Sequence, residues 1–184
     1  MVKVKDPEGN YSETNYLQTD GYLKGRVSRQ SSYNASGQLF SKVENTWMEE
    51  NISSTTPQAK FVFLSRVDNY VYDGDATGRR TAQEYFYEET PQYGNLTKTI
   101  QYGEVDLNTG SDIGNDKRTV ETQYNNVFSG WWLVGIPKRI QVRDHGGNIV
   151  RQGWFYYDGA TDINTAPTLG QLTKKEDWNG DVLG

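Results

Sequence analysis

Hydrophobic and polar residues alternate with a period of two along much of this chain. In KRIQVRD, Ile140 and Val142 share one face of an extended strand, and Arg139, Gln141 and Arg143 share the other. In NLTKTIQY, Leu96, Ile100 and Tyr102 oppose Thr97, Thr99 and Gln101. In RTVETQY, Val120 and Tyr124 oppose Thr119, Glu121 and Gln123. In GQLFSKVENTW, Leu39, Val43 and Trp47 line one face. No stretch carries a convincing 3.6-residue period, and β-branched and aromatic residues dominate these segments. The pattern predicts an all-β chain.

Turn signals separate the strands. YNASGQ, RDHGGNI and DWNGDV place Gly37, Gly146–Gly147 and Gly180 where a hairpin needs positive φ, and Asn179-Gly180 is the strongest two-residue hairpin signal. Asp106 to Asp116 and Gly159 to Thr168 read as longer loops, and Asn51 to Lys60 as a loop or linker. The expectation is antiparallel β-hairpins stacked side by side in a strip or spiral. Residues 21–184 form one such block with no clear domain boundary, behind a polar, partly disordered lead over residues 1–20.

The chain also repeats itself. YGNLTK, from Tyr93, returns as LGQLTK, from Leu169. LKGRVSRQSSYNASGQL, from Leu23, aligns without a gap on LVGIPKRIQVRDHGGNI, from Leu133, setting Gly37 on Gly147 and Asn34 on Asp144. YFYEE from Tyr85, FYYDG from Phe155 and YVYDG from Tyr70 echo one another, with Glu88 matching Asp158. A hexamer used twice in so short a chain reads as a folding unit, because a lone hairpin is marginal and stacked hairpins bury a continuous face. Gly94 and Gly170 are expected to let the chain reverse. Leu96 and Leu172 are expected to turn inward, with Thr97 and Thr173 on the opposite, wetter face.

Composition narrows the function classes. At 184 residues the chain is one domain, or one block of something longer. Only 34% of residues are hydrophobic, yet 13% are aromatic, which excludes a disordered composition. A net charge of −5 argues against nucleic acid as a partner. Cysteine is absent, which removes disulfides and thiolate chemistry. No apolar run is long enough for a membrane-spanning helix, and MVKVKDPEGN lacks the apolar core of a signal peptide.

Candidate chemistry is sparse. His145, the only histidine, sits in a predicted turn, so neither a Ser-His-Asp machine nor a histidine metal site can be built around it with support. The pairs Glu49-Glu50 and Glu88-Glu89 are adjacent, so on a strand their carboxylates point to opposite faces. Asp106, Asn108 and Asp112 around Gly110 resemble a calcium loop but lack its terminal glutamate, which favours a plain polar loop. Trp131, Trp132, Trp154 and Trp178 could form a sugar-stacking platform, although neighbours 131 and 132 point opposite ways in a strand. No catalytic, cofactor-binding or metal residue is assigned, and the chain is read as non-enzymatic.

GYLKGRVSRQSSYNASGQLFSKVENTW, YGNLTKTIQYGEVD, WLVGIPKRIQVRDHGGNIV and the YYDG…LGQLTK pair resemble the Rhs or YD-repeat proteins. The resemblance is closest to the shell-forming region of the B component of bacterial insecticidal toxin complexes, and it covers roughly Gly21 to Asp181. It implies hairpin strips that spiral into a hollow shell around a toxic C-terminal domain. The implied partners are other segments of the shell and the enclosed toxin polypeptide, in a secreted or cell-surface parent. The YD spacing is irregular here, and Glu88 stands where the family often has Asp. The family's self-cleaving aspartate core and its toxin domain are not visible, so the resemblance implies a wall segment alone. The alternative, drawn from the aromatics, is an extracellular carbohydrate-binding β module that binds surface glycans.

Overall fold

Alternation with period two becomes eleven strands in the computed structural model, which describes residues 1–19, 21–52, 59–73, 77–88, 93–127 and 132–178. They are β1 (Val2–Lys5), β2 (Tyr11–Tyr16), β3 (Val27–Tyr33), β4 (Leu39–Asn51), β5 (Lys60–Val71), β6 (Arg79–Tyr87), β7 (Leu96–Val105), β8 (Arg118–Val127), β9 (Leu133–Arg143), β10 (Ile149–Tyr157) and β11 (Leu172–Trp178). They lie in chain order in one open antiparallel sheet, as the hairpin reading expects. Among the described residues there is no helix.

The chain divides into two compact units, Met1–Tyr85 with Gln101–Asp116, and Phe86–Ile100 with Lys117–Gly184. The sequence gives no sign of this division because β6 and β7 each run through it, so no linker marks the place.

The polar lead carries β1 and β2. β1 and β2 pair in register, Lys3 opposite Glu13 and Val4 opposite Ser12, and β2 pairs in turn with β3. The segment is polar because its cross-strand contacts are polar. Lys3 Nζ lies 3.3 Å from Glu13 and 3.4 Å from the centre of the Tyr11 ring, and Tyr11 stacks on Tyr33 at 4.7 Å.

In the first unit the closely packed face is the charged one. Register places Ser31, Lys42, Tyr70 and Arg80 in one row across β3 to β6, and Arg29, Glu44, Asp68 and Ala82 in the next. Ser31, Asp68, Tyr70 and Ala82 are buried. Apolar residues elsewhere on these strands, such as Phe40, Met48 and Val71, are exposed. In the second unit Val120 pairs with Val142 and Thr122 with Ile140, which sets Glu121, Gln123, Arg139 and Gln141 on the other face, as alternation predicts. Gln141 and Gln152 are buried there and bonded to each other across β9 and β10. Buried polar atoms of this kind are tolerated when each finds a partner.

Candidate functional site

The repeated elements are turns, and their geometry repeats atom by atom. Gly37 and Gly147 both have φ of 85°, a left-handed conformation in which a Cβ would be strained. Gly37 N–H donates to Asn34 O at 3.0 Å and Gly147 N–H to Asp144 O at 3.1 Å. Asn34 N–H donates to Gln38 O, and Asp144 N–H to Asn148 O, both at 3.0 Å. The side chain of the first residue closes each loop: Gln38 N–H donates to Asn34 Oδ1 at 2.9 Å and Asn148 N–H to Asp144 Oδ1 at 2.8 Å. This is a three-residue hairpin loop with a left-handed glycine, locked by an Asx cap. Asn148, through its side chain and then its backbone amide, holds the Asp144 carboxyl below its ordinary range.

A third copy went unnoticed in the sequence. Asp6-Pro7-Glu8-Gly9-Asn10 makes the same pair of bonds, Asp6 N–H to Asn10 O at 2.9 Å and Gly9 N–H to Asp6 O at 3.1 Å. The spacing Asx-x-x-Gly-(Asn/Gln) common to all three was there to be read.

The duplicated hexamer also repeats its bonds. Gly94 and Gly170 have φ of 70° and 74°. Thr97 Oγ1 donates to Phe86 O, and Thr173 Oγ1 to Tyr156 O, both at 3.2 Å. Glu88 N–H donates to Asn95 O, and Asp158 N–H to Gln171 O. The leucines depart from expectation. Leu96 is half-buried, and Leu172 is 54% exposed because β11 has a described neighbour only on its β10 side.

Asp158, the aspartate of the second tyrosine-aspartate pair, is the anchor of its corner. It has φ of 54°, and Asp73 of the first pair has 48°. Asp158 Oδ2 accepts from the backbone amides of Thr168, Leu169 and Gly170 at 2.6, 2.9 and 3.1 Å, and Oδ1 accepts from Gln171 at 2.9 Å. These amides, Leu169 first, hold the carboxyl far below its ordinary value. Tyr157 is buried beside it, with its hydroxyl donating to Pro137 O at 2.8 Å. Glu88, the variant at this position, instead accepts on Oε1 from the side-chain amides of Asn95 and Asn126, Nδ2 in both, at 2.8 and 3.0 Å.

The first unit carries an ion network. Asp68 accepts from Arg66 Nε on Oδ2 and from Arg80 Nε on Oδ1, both at 2.9 Å, and Arg66 also reaches Glu84 at 2.8 Å. Burial raises the Asp68 pKa, and hydrogen bonds from both guanidiniums overcome this and hold it below 3.8. Tyr102 donates to Glu84 at 2.9 Å and is pushed up to about 12 by burial and that carboxylate. Tyr70 is pushed up to about 12 by burial and by Glu44. Every charge here is answered by a neighbour, which makes the cluster a structural clamp.

The second unit contains a concave polar groove of ≈ 860 Å³. Its walls include Glu88, Lys98, Gln123, Lys138, Arg139 and Arg143. Two atoms of residues that line it, Glu88 Oε2 and Arg139 Nε, are buried and have no hydrogen-bond partner among the described residues. No pattern in the sequence singled this groove out, since its residues come from four strands and an adjoining segment.

The other candidates lie apart. His145 is an exposed residue of the Asp144–Asn148 turn. Glu49 and Glu50 face opposite sides of β4, opposite Val62 and Phe61. Asp106 Oδ1 is occupied by Asn108 N–H at 3.1 Å and Thr109 N–H at 2.7 Å, capping its own loop. Among the described residues no group of three carboxylates or imidazoles lies close enough to hold a metal. Trp132 is 79% exposed. Trp154 and Trp178 share a face of β10 and β11, through the pairs Trp154 with Glu176 and Gln152 with Trp178. Trp131, Glu89, Gly74 and the Asn179-Gly180 turn lie outside the described residues.

No family model matches the sequence, and no curated protein matches it. A porin-like protein from Bacteroides uniformis, 12% identical over 83% of this chain and 52% of its own, gives a TM-score of 0.26. The crystal structure of TcdB2-TccC3-Cdc42 matches 84% of this chain with a TM-score of 0.62 and 12% identity. This chain spans 10% of that one, and the likeness is of fold: the same kind of β-sheet recurs in a segment of a far longer polypeptide.

Proposed function

We propose that this chain is a non-enzymatic wall segment of an Rhs/YD-repeat toxin shell, which encloses or protects a toxic polypeptide. The observation that carries the reading is the equivalence of the turns at Asp6–Asn10, Asn34–Gln38 and Asp144–Asn148, each closing a hairpin of one chain-order sheet. The fold likeness to TcdB2-TccC3, a Tc toxin complex, supports it. Its partners are then neighbouring wall segments and the enclosed cargo, in a secreted or cell-surface parent. The test is the full parent reading frame, purified and imaged. A hollow particle, holding a C-terminal fragment that resists added protease until the particle is denatured, is the expected result. A parent with no enclosed volume, or one whose C-terminal region is digested at once, refutes the reading.

A second reading is a carbohydrate-binding β module, favoured by the 79% exposure of Trp132. A glycan array without hits, together with tryptophan fluorescence unmoved by sugars, removes it.

A further inference from the structure

We propose that the groove of the second unit binds an acidic polypeptide segment, laid along β9 as an extended chain. Arg139, Gln141 and Arg143 alternate on the groove side of β9. Alternate side chains of a strand recur about every 6.8 Å, and an extended peptide presents its own at the same interval. The side chains of wall and ligand can therefore meet in phase.

Charge selects the ligand's sign. Arg143 is neutralised by Glu121 at 2.9 Å. Lys98, Lys138 and Arg139 join no ion pair among the described residues. Lys98 sits over the Phe86 ring at 4.1 Å, and Lys138 donates to Asn164 Oδ1 at 3.0 Å, which leaves both charges uncompensated. With Arg143 these three line the groove against two carboxylates, Glu88 and Glu121, so on a chain of net charge −5 the groove carries an excess of positive charge that attracts anions.

The strand interval favours its class: an extended peptide repeats at the spacing that separates Arg139 from Arg143 on β9, and a neutral sugar leaves the excess of cations unanswered. Arg139 Nε and Glu88 Oε2 are themselves sealed from solvent, so the contacts to a ligand fall to the exposed parts of these side chains. The inference does not rest on the shell reading, which stands if the groove proves empty.

The test is fluorescence anisotropy of the whole chain with fluorescein-labelled hexaglutamate at low ionic strength. Saturable binding is expected, weakened about tenfold by Arg139→Gln and by Lys98→Gln, because each removes a charge-assisted contact. Lys5→Gln, the same charge change on β1, is expected to leave it unchanged, and hexalysine is expected not to bind. If Arg139→Gln does not fold, as judged by circular dichroism, Lys138→Gln carries the same comparison. Absence of saturable binding overturns the proposal, as does equal weakening by Lys5→Gln. Binding of a heparin oligosaccharide without hexaglutamate reassigns the groove to sulfated glycan and overturns it too.

Discussion

Asp68→Ala is the most informative single change. Asp68 is 5% exposed, and its carboxylate sits between two guanidiniums, bonded to Arg66 through both oxygens at 2.9 and 3.0 Å and to Arg80 at 2.9 Å. Its removal leaves two partly buried cations with no anion between them, although Arg66 keeps Glu84. Breaking a buried ion pair from one side costs about 3–5 kcal/mol, so that is the expected loss. Asp68→Asn keeps an acceptor without the charge and is expected to lose about 2 kcal/mol. Glu13→Gln, at the exposed pair with Lys3, serves as control and is expected to lose about 1 kcal/mol or less. Urea denaturation followed by circular dichroism measures all three. If the network is a clamp, replacing Asp68, Arg66, Arg80 and Glu84 together with apolar residues recovers most of the loss, because no member of the ion network is then left without its partner. The sign with pH is fixed as well. The folded pKa of Asp68 lies below 3.8, so its contribution is complete above that value and disappears as pH falls through the folded pKa. The acid limb of the stability profile is therefore shallower in Asp68→Asn. A loss under about 1 kcal/mol for Asp68→Ala, or an unchanged acid limb, refutes the clamp.

Gly37→Ala and Gly147→Ala are each expected to cost about 1–2 kcal/mol in denaturant melts, from the φ of 85° at both sites; nothing within 4 Å would meet a Cβ at Gly147, so strain alone acts there. Thr97→Val is expected to cost about 0.5–1.5 kcal/mol, for one bond of 3.2 Å to Phe86 O, and Thr173→Val to cost more, about 1–3 kcal/mol, because Thr173 Oγ1 also accepts from Gly159 N–H at 3.0 Å. Leu172→Ala is expected to cost about 1 kcal/mol or less, against about 2–5 for a packed leucine; a larger loss would show that this side chain is covered. Asp158→Ala is expected to speed hydrogen exchange at Leu169, Gly170 and Gln171, whose amides lose their acceptor. Thermal melts with calcium and with chelator are expected to coincide, because Asp106 already caps its own loop.

The turns were legible because their chemistry is local. A glycine that must be left-handed, three residues after an Asx that caps the loop, is written in five letters at Asn34 and Asp144. The Asp6 copy obeys the same rule and was missed because the surrounding polar residues read as a disordered lead. Alternation gave the two faces of β8 and β9 correctly, but period two cannot say which face is packed. On β5 the packed face belongs to Arg66, Asp68 and Tyr70, whose burial depends on partners brought by β4 and β6. For the same reason Leu172 was misjudged: its letters match those at Leu96, and its neighbours do not. The groove depended on register, which brings Gln123 opposite Arg139 across β8 and β9 and is not written in either strand alone.

Chain-order pairing has a consequence for how such a protein is made and how it changes. Each strand finds its partner in the segment just synthesised, so loop closure costs little and the sheet can grow vectorially from the ribosome. Stability then approaches a sum over neighbours, as in other linear repeats. An inserted or deleted hairpin alters how many strands the sheet contains, while the turns on either side keep their own hydrogen bonds and their own register.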